Sequence, residues 1–449
     1  MSEGLYTFVS LDLPALLALV FASVACGLMG NFLVLRRLSL MGDAIAHAVL
    51  PGIVLAFLVM MALGRPDQAR HPLVMTLGAA ASGVVTVLLV ETIRRLGRVE
   101  TGAAMGVAFS IMFALGVLML EQAAAHQTDL DAECVLYGQL ETIFWFPPRQ
   151  TADLLTFGAL SQAPRQVWTL ALAAGGVILL VTLFYKELRI AAFDPALATT
   201  LGFSARLLHY AQMTVVAVAA VAAFEAVGSI LVIALIICPA ACARLLTDRL
   251  LSQLLVSVAV AVGASVAGYT LGAHAPLWLG AEHSLNAAGS VAVTLGAALT
   301  LAIIAAPRHG VVARRLRLFR LAVEVAREDA LGLLHRAEEQ GLGGLPRVAL
   351  LATLDAGLAG RLGLRGAVRR GLVSIRNGEC RLTDAGRDAA RSLVRRHRLW
   401  ETYLVEHGAR PDHVHGPAER LEHARGAGDR AIEPTIDADH DPHGRPIPR

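Results

Sequence analysis

"SLMGDAIAHAVLPGIVLAFLVMMALG" (Ser39 to Gly64) decides the fold. Its second half is an apolar run, and its first half sets an acid and an imidazole, Asp43 and His47, four residues apart. On a helix, residues at i and i+4 share one face. A helix needs about 20 apolar residues to cross a bilayer core. Residues 44–63 are therefore expected to span a membrane, with two costly polar groups near one end.

The pattern recurs at residues 12–35, 73–93, 103–121, 167–186, 208–226, 228–247, 251–272 and 285–306. The expectation is an all-α polytopic membrane bundle of about eight or nine crossings. The chain of 449 residues is 55% hydrophobic and only 17% charged. It is too apolar for a single soluble domain of that size. Charge is sparse before Pro307 and dense after it, so a soluble domain should follow the membrane domain. The net charge of +3 is too small to indicate a partner. Five cysteines without a CxxC imply neither a disulfide framework nor a zinc ribbon. The N-terminal segment lacks a positive leader and a cleavage site, so its apolar run is expected to stay as a membrane helix.

Arg36/Arg37, Arg94/Arg95/Arg98, Lys186/Arg189, Arg244/Arg249 and Arg314/Arg315 fall at alternate ends of the runs. With these clusters in the cytoplasm, the N-terminus lies outside and the C-terminal part inside. The acidic "EQAAAHQTDLDAE" (121–133) then faces outward. "CVLYGQLETIFWFPPRQ" (134–150) is short and ends in two prolines, so it reads as an interfacial or partly re-entrant piece with Trp145 near the headgroups.

Ionisable groups within membrane spans mark functional sites by default. The candidates are Asp43, His47 and Glu225. A carboxylate and an imidazole one turn apart reach one divalent cation, and Mn²⁺, Fe²⁺ and Zn²⁺ all accept that mixture. The competing reading is an Asp–His hydrogen bond between helices, and for Glu225 a place at the outer interface. Pro239 is expected to kink its span.

Five stretches, in order, carry a resemblance over residues 12–306: "SLMGDAIAHAVLPG", "TGAAMGVAFSIMFALGVLML", "DLDAECVLYGQLE", "KELRIAAFDPALATTLGFS" and "AVGSILVIALIICPAACARLLTDR". They resemble the permease subunits of ABC importers for zinc, manganese and iron. The resemblance implies a metal path between two permease chains, alike or different, with Asp43 and His47 at its transient cation site and Glu225 as a further candidate. It implies that Phe193, Asp194, Pro195, Ala198, Leu201 and Gly202 form a coupling segment against the ATPase. Asp194-Pro195 is itself a helix start and Gly202 a helix stop. The chain holds no GxxxxGK[ST], so the nucleotide is expected on a separate ATPase chain. A permease subunit, not an enzyme, is expected, served by an extracytoplasmic metal-binding protein, surrounded by lipid and multi-pass in a bacterial plasma membrane.

Beyond residue 310 the pattern changes. "EVAREDALGLLHRAEEQG" (324–341) is an amphipathic helix, and "SIRNGECRLTDAGR" (374–387) is a hairpin turned at Asn377-Gly378. That order makes residues 311–390 a degenerate winged helix, mostly α, followed by a region over 391–449. His397 and Glu401 share a helical face, as do Glu419, Glu422 and His423. Oxygen and nitrogen donors so grouped suit Mn²⁺, Fe²⁺ or Zn²⁺, whereas a solvated charged face is the plainer alternative. "RHRLWETYL" and "VHGPAERLEHA" are similar to the diphtheria-toxin-repressor family of iron- and manganese-dependent regulators, a match running from Glu324 to Pro448. It implies His397, Glu419, Glu422 and His423 as ligands, Glu401 and His415 at an ancillary site, and Asp329 at an early ligand position. Gly332 stands where a manganese-type member has Glu.

"GLRGAVRRGLV" (363–373) leaves a short recognition helix. Dimerisation or metal sensing is therefore expected of the tail rather than DNA binding. A membrane-anchored, metal-dependent transcriptional regulator stays open as an alternative.

Overall fold

The computed structural model describes residues 3–38, 41–65, 68, 71–124, 140–146, 157–278, 280, 283–354, 357–423 and 439–448. The chain divides into two compact units, Met1–Val311 and Val312–Arg449.

The first unit is built from long helices: α1 (Leu13–Leu35), α2 (Met41–Ala62), α3 (Pro72–Gly97), α4 (Thr101–Ala124) and α5 (Arg165–Leu183). Two short helices follow, α6 (Tyr185–Phe193) and α7 (Pro195–Thr200). Then come α8 (Ala205–Val227), α9 (Ser229–Leu246), α10 (Leu250–Ala273) and α11 (Ala287–Ala305). Among the described residues, 8 helices are long and apolar enough to cross a membrane. Helix α2 joins them with a further apolar length over Ala48–Ala62.

These helices are apolar nearly all round, so packing rests on close approach and a few internal hydrogen bonds. A Cβ on Gly30 of α1 would sit 1.9 Å from the Ile236 carbonyl oxygen of α9. Gly52 of α2 and Gly78 of α3 meet in the same way, each facing the other's carbonyl at 2.2 and 2.4 Å. Ser257 of α10 donates to the Gly27 carbonyl at 2.8 Å, and Ser23 and Ser265 pair at 2.8 Å. Pro239 lies within α9, and Pro51 within α2, yet each helix runs on as one element. Trp145 is buried beside Val9 and Ala159, with its backbone N–H on the Ser10 carbonyl. The acidic stretch expected to face outward lies largely outside the described residues.

The second unit comprises α12 (Val311–Glu339), β1 (Leu345–Pro346), α13 (Arg347–Thr353), α14 (Gly357–Arg369), β2 (Val373–Arg376), β3 (Glu379–Leu382), α15 (Asp384–Glu406) and α16 (His415–Leu421). The sheet order is β1-β3-β2, all antiparallel. Asn377 and Gly378 turn the hairpin at φ +53° and +81°, the left-handed pair a two-residue loop requires. Two sequence expectations lengthen. Helix α12 starts 13 residues before Glu324, and α14 begins at Gly357, making 13 residues rather than a short stub. The core joins Ala330, Leu331 and Leu334 of α12 to Leu364, Val373, Cys380, Leu382 and Ala390. The final segment returns along α15: Ile447 packs on Leu399, and Arg398 donates to the Pro446 carbonyl and pairs with Glu339 at 3.0 Å.

Candidate functional site

In the second unit, α15 carries His397 and Glu401 on one face and α16 presents His415 to them. The His397 Nε2, Glu401 Oε1 and His415 Nδ1 atoms form a near-equilateral triangle with sides of 3.1, 3.0 and 2.9 Å. Three donors about 2.1 Å from a metal and mutually at right angles stand about 3.0 Å apart, so this triangle has the edge lengths of one face of an octahedron as well as those of ordinary hydrogen bonds. Two imidazoles and a carboxylate make a facial set that suits divalent Mn, Fe or Zn.

A second group lies beside it. His423 Nε2 is 3.0 Å from Asp329 Oδ1 and 3.5 Å from Glu422 Oε1, and His423 Nδ1 is 2.9 Å from Glu328 Oε2. Glu422 links the two groups, because its other oxygen is 2.6 Å from His397 Nδ1. With a proton held there, loss of the second proton would turn the Nε2 lone pair toward Glu401 and His415, which is how an outer carboxylate orients a metal-ligating imidazole. Glu422 and Glu401 are both 2% exposed, so these carboxylates need a positive partner.

That partner is a proton in the metal-free protein. Burial opposes charge on His397, but hydrogen bonds to Glu401 and Glu422 outweigh it and raise its pKa to about 9. Burial likewise opposes charge on His423, and Asp329 and Glu328 raise it to about 10. Burial disfavours the Glu401 anion, yet His397 and His415 bring its pKa down to about 2.

Of the tail residues expected as ligands, the structure gathers His397, Glu401 and His415 in one group and Asp329, Glu422 and His423 in the other. Glu419 is exposed on α16 and lies outside both. Glu328 joins this group although helical spacing does not mark it; its place beside Asp329 in the sequence is the available signal. Gly332 lines the first group's cavity without adding an oxygen.

In the first unit, Asp43 and His47 occupy the first two turns of α2, and their side chains lie outside the described residues. Met41, just before them, lines a cavity of about 410 Å³ with Arg36, Glu91, Arg94, Arg95, Arg206 and His209. Arg36 Nη1 is 2.9 Å from His209 Nδ1 and its Nη2 donates to the Ala191 carbonyl at 3.0 Å. Glu225 lies near the far end of α8, about 24 Å along the helix from His209 at 1.5 Å per residue. There it pairs with Arg165 at 3.5 Å, and Arg165 also donates to Thr76 at 3.2 Å.

Beside the cavity, Asp194 caps α7 by accepting from the backbone of Ala196 and Leu197 at 3.0 and 2.9 Å. Ala198 is buried, while Phe193, Leu197 and Leu201 are about half exposed at 58, 47 and 54%. Gly202, at φ +87°, ends the segment in a conformation that favours glycine.

A bundle of membrane-spanning helices with a short capped helix at its arginine-rich end, followed by a compact unit with two histidine–carboxylate groups, defines a polytopic membrane protein with an appended histidine–carboxylate module. The chain belongs to the ABC 3 transport family, which it matches over residues 9–145 and 149–307. Residues 383–449 match the iron dependent repressor, metal binding and dimerisation domain. The manganese transport system membrane protein MntD of Bacillus subtilis is 36% identical over 307 residues, 68% of this chain and 96% of that protein. The zinc transport system membrane protein TroD of Treponema pallidum is 36% identical over 306 residues, 68% and 77% of the two chains. The solved PsaBC of Streptococcus pneumoniae, in complex with a Fab, aligns with a TM-score of 0.51 and 27% identity, over 68% of this chain and 93% of its own. The protein is therefore an integral membrane permease subunit, and no enzyme in itself.

Proposed function

We propose that this chain is the permease of an ABC importer for divalent transition-metal ions, and that its cytoplasmic tail binds the imported ion and restrains uptake. The triangle of donors at His397, Glu401 and His415 carries the tail reading, because its edges match a metal's coordination shell. Asp43 and His47 offer the transported ion a transient site, offsetting the loss of its hydration within the membrane. Relatives named for manganese and zinc transport support the ion class and leave the ion open.

ATP is hydrolysed on a separate chain, docked on the exposed apolar side chains of Phe193, Leu197 and Leu201. The cavity next to α7, where Arg36 and Arg206 stand beside the Arg94 and Arg95 that pair with Glu91, keeps a net positive lining that favours acidic side chains on that partner. A second permease chain and an extracytoplasmic binding protein complete the assembly. The residue range 311–390 is read as a winged helix whose role is structural or sensory, with 391–449 binding metal and dimerising.

Radioactive-metal uptake into cells preloaded with graded internal metal tests the restraint. Unaltered protein slows uptake as internal metal rises, and His397→Ala with Glu401→Ala keeps the initial rate. Identical metal dependence in the variant refutes the tail reading, while loss of uptake in Asp43→Asn with His47→Gln tests the pore separately.

One observation favours a second reading of the tail. Arg361, Arg365 and Arg369 fall at i, i+4 and i+8 on the exposed face of the full-length α14, a spacing suited to DNA phosphates. A salt-dependent DNA shift by the purified full chain, lost on Arg361→Gln with Arg365→Gln, would establish it.

A further inference from the structure

The first three turns of α12 belong to no core. Residues 311–322 are exposed except for partly covered Ala313. They include Val312, Leu316 and Phe319, which are 56, 48 and 38% exposed, with Val311, Leu318 and Leu321 also open. Four arginines, Arg314, Arg315, Arg317 and Arg320, stand among them, and no acid occurs before Glu324. A water-facing helix would not keep six large apolar side chains on its surface.

The start of this helix is fixed at the membrane. Only five residues separate Ala305, the end of α11, from Val311. Ala306 is buried, and Gly310 turns so tightly that a Cβ would lie 2.4 Å from the Ala306 carbonyl oxygen. Arg308 and His309 reach Asp248, between α9 and α10, at 3.3 and 3.1 Å. The turn that leads into the helix is thus anchored to the arginine-rich end of the bundle.

Two surfaces can cover such a helix, a second copy or the lipid headgroups. Val312, Leu316, Phe319 and Val323 recur at spacings of 4, 3 and 4, a coiled-coil seam. Arg315 and Arg320 flank that seam on either side. In a parallel pair of copies, Arg315 of one would oppose Arg320 of the other, a like-charge contact at the position that sets pairing. The same flanking suits a headgroup layer, where arginine stems lie on apolar surface and the guanidinium ions reach phosphate.

We propose that residues 311–322 form an interfacial helix seated on the anionic inner leaflet, holding the start of the tail at the membrane. Four cations beside an anionic surface each contribute roughly fivefold to its occupancy. Only the membrane placement of α11 is needed, not a metal in the tail.

The full chain is placed in nanodiscs of phosphatidylcholine alone or with phosphatidylglycerol, and backbone hydrogen exchange over 311–322 is followed. The expected result is exchange at least about tenfold slower with the anionic lipid, weakened by added salt and abolished in R314Q/R315Q/R317Q/R320Q. A photoreactive phenylalanine analogue in place of Leu316 should form lipid adducts. Equal exchange in both lipids overturns the proposal, even if the arginine variant were poorly made. Cross-links from position 316 to a second copy also overturn it.

Discussion

Metal binding by the tail is expected to expel protons at a pH where free histidine has few to give. In the metal-free protein His397 and His423 hold protons with pKa values of about 9 and about 10. At pH 7.5 both are nearly fully charged, whereas an ordinary histidine is about one-tenth charged. A metal taking the Nε2 of each imidazole therefore releases close to one proton per ion. Displacing both protons at pH 7.5 costs about 5 kcal/mol of gross metal affinity, some four decades in binding constant. Affinity for each ion should rise about tenfold per pH unit from 7 to 8.5 and flatten as pH approaches the pKa of its histidine. The assay is calorimetric titration of the full chain with Mn²⁺ or Zn²⁺ in buffers of different ionisation enthalpy, after subtracting the His397→Ala with His423→Ala variant. Release below about 0.3 proton per ion at pH 7.5 would refute the assignment of charged, carboxylate-bound imidazoles.

The same pairs set the metal-free tail's stability. The raised histidines stabilise fully below pH 6.5 and lose that contribution as pH rises through about 9 to about 10, so thermal unfolding of the metal-free chain should fall by several degrees from pH 6 to 9.5. Glu401 stabilises above pH 4.5 and is lost only as pH falls toward about 2, so no matching drop is expected between pH 6 and 5. Gly30→Ala drives a methyl into the Ile236 carbonyl and should reduce the yield of monodisperse protein in detergent-solubilised size exclusion severalfold; normal yield would contradict the α1–α9 contact. Asp194→Ala removes the α7 cap, about 1 kcal/mol of local stability, and should depress transport-coupled ATPase activity while leaving membrane levels unchanged. Arg398→Gln leaves buried Asp441 without its guanidinium at 3.7 Å, and limited proteolysis should then release the final segment sooner.

The spans were legible because a bilayer demands length and apolarity, both of which a sequence displays directly. The faces by which they pack were not. A helix apolar all round has no informative period, and the decisive contacts at Gly30, Gly52 and Gly78 depend on partners far away in sequence. The hairpin was legible from Asn377-Gly378, since few residue pairs tolerate that backbone. The tail's candidate ligands were visible as residue types at helical spacings, but spacing could not say which atoms meet. Only the packing of α16 on α15 turns His397 Nε2 toward Glu401 and His415 and its Nδ1 toward Glu422, and leaves Glu419 in solvent. Glu225 read as a membrane carboxylate, and its pairing with Arg165 follows from the adjacency of α5 and α8.

Glu422 touches both clusters, one oxygen to each, so a change of charge in one is expected to be felt in the other. An ion settling on His397 Nε2 would leave the Nδ1 proton on Glu422 and retune the neighbouring group through that carboxylate's charge. The tail would then answer rising cytoplasmic metal with a threshold rather than a gentle gradient, and a single carboxylate would decide how sharp that threshold is.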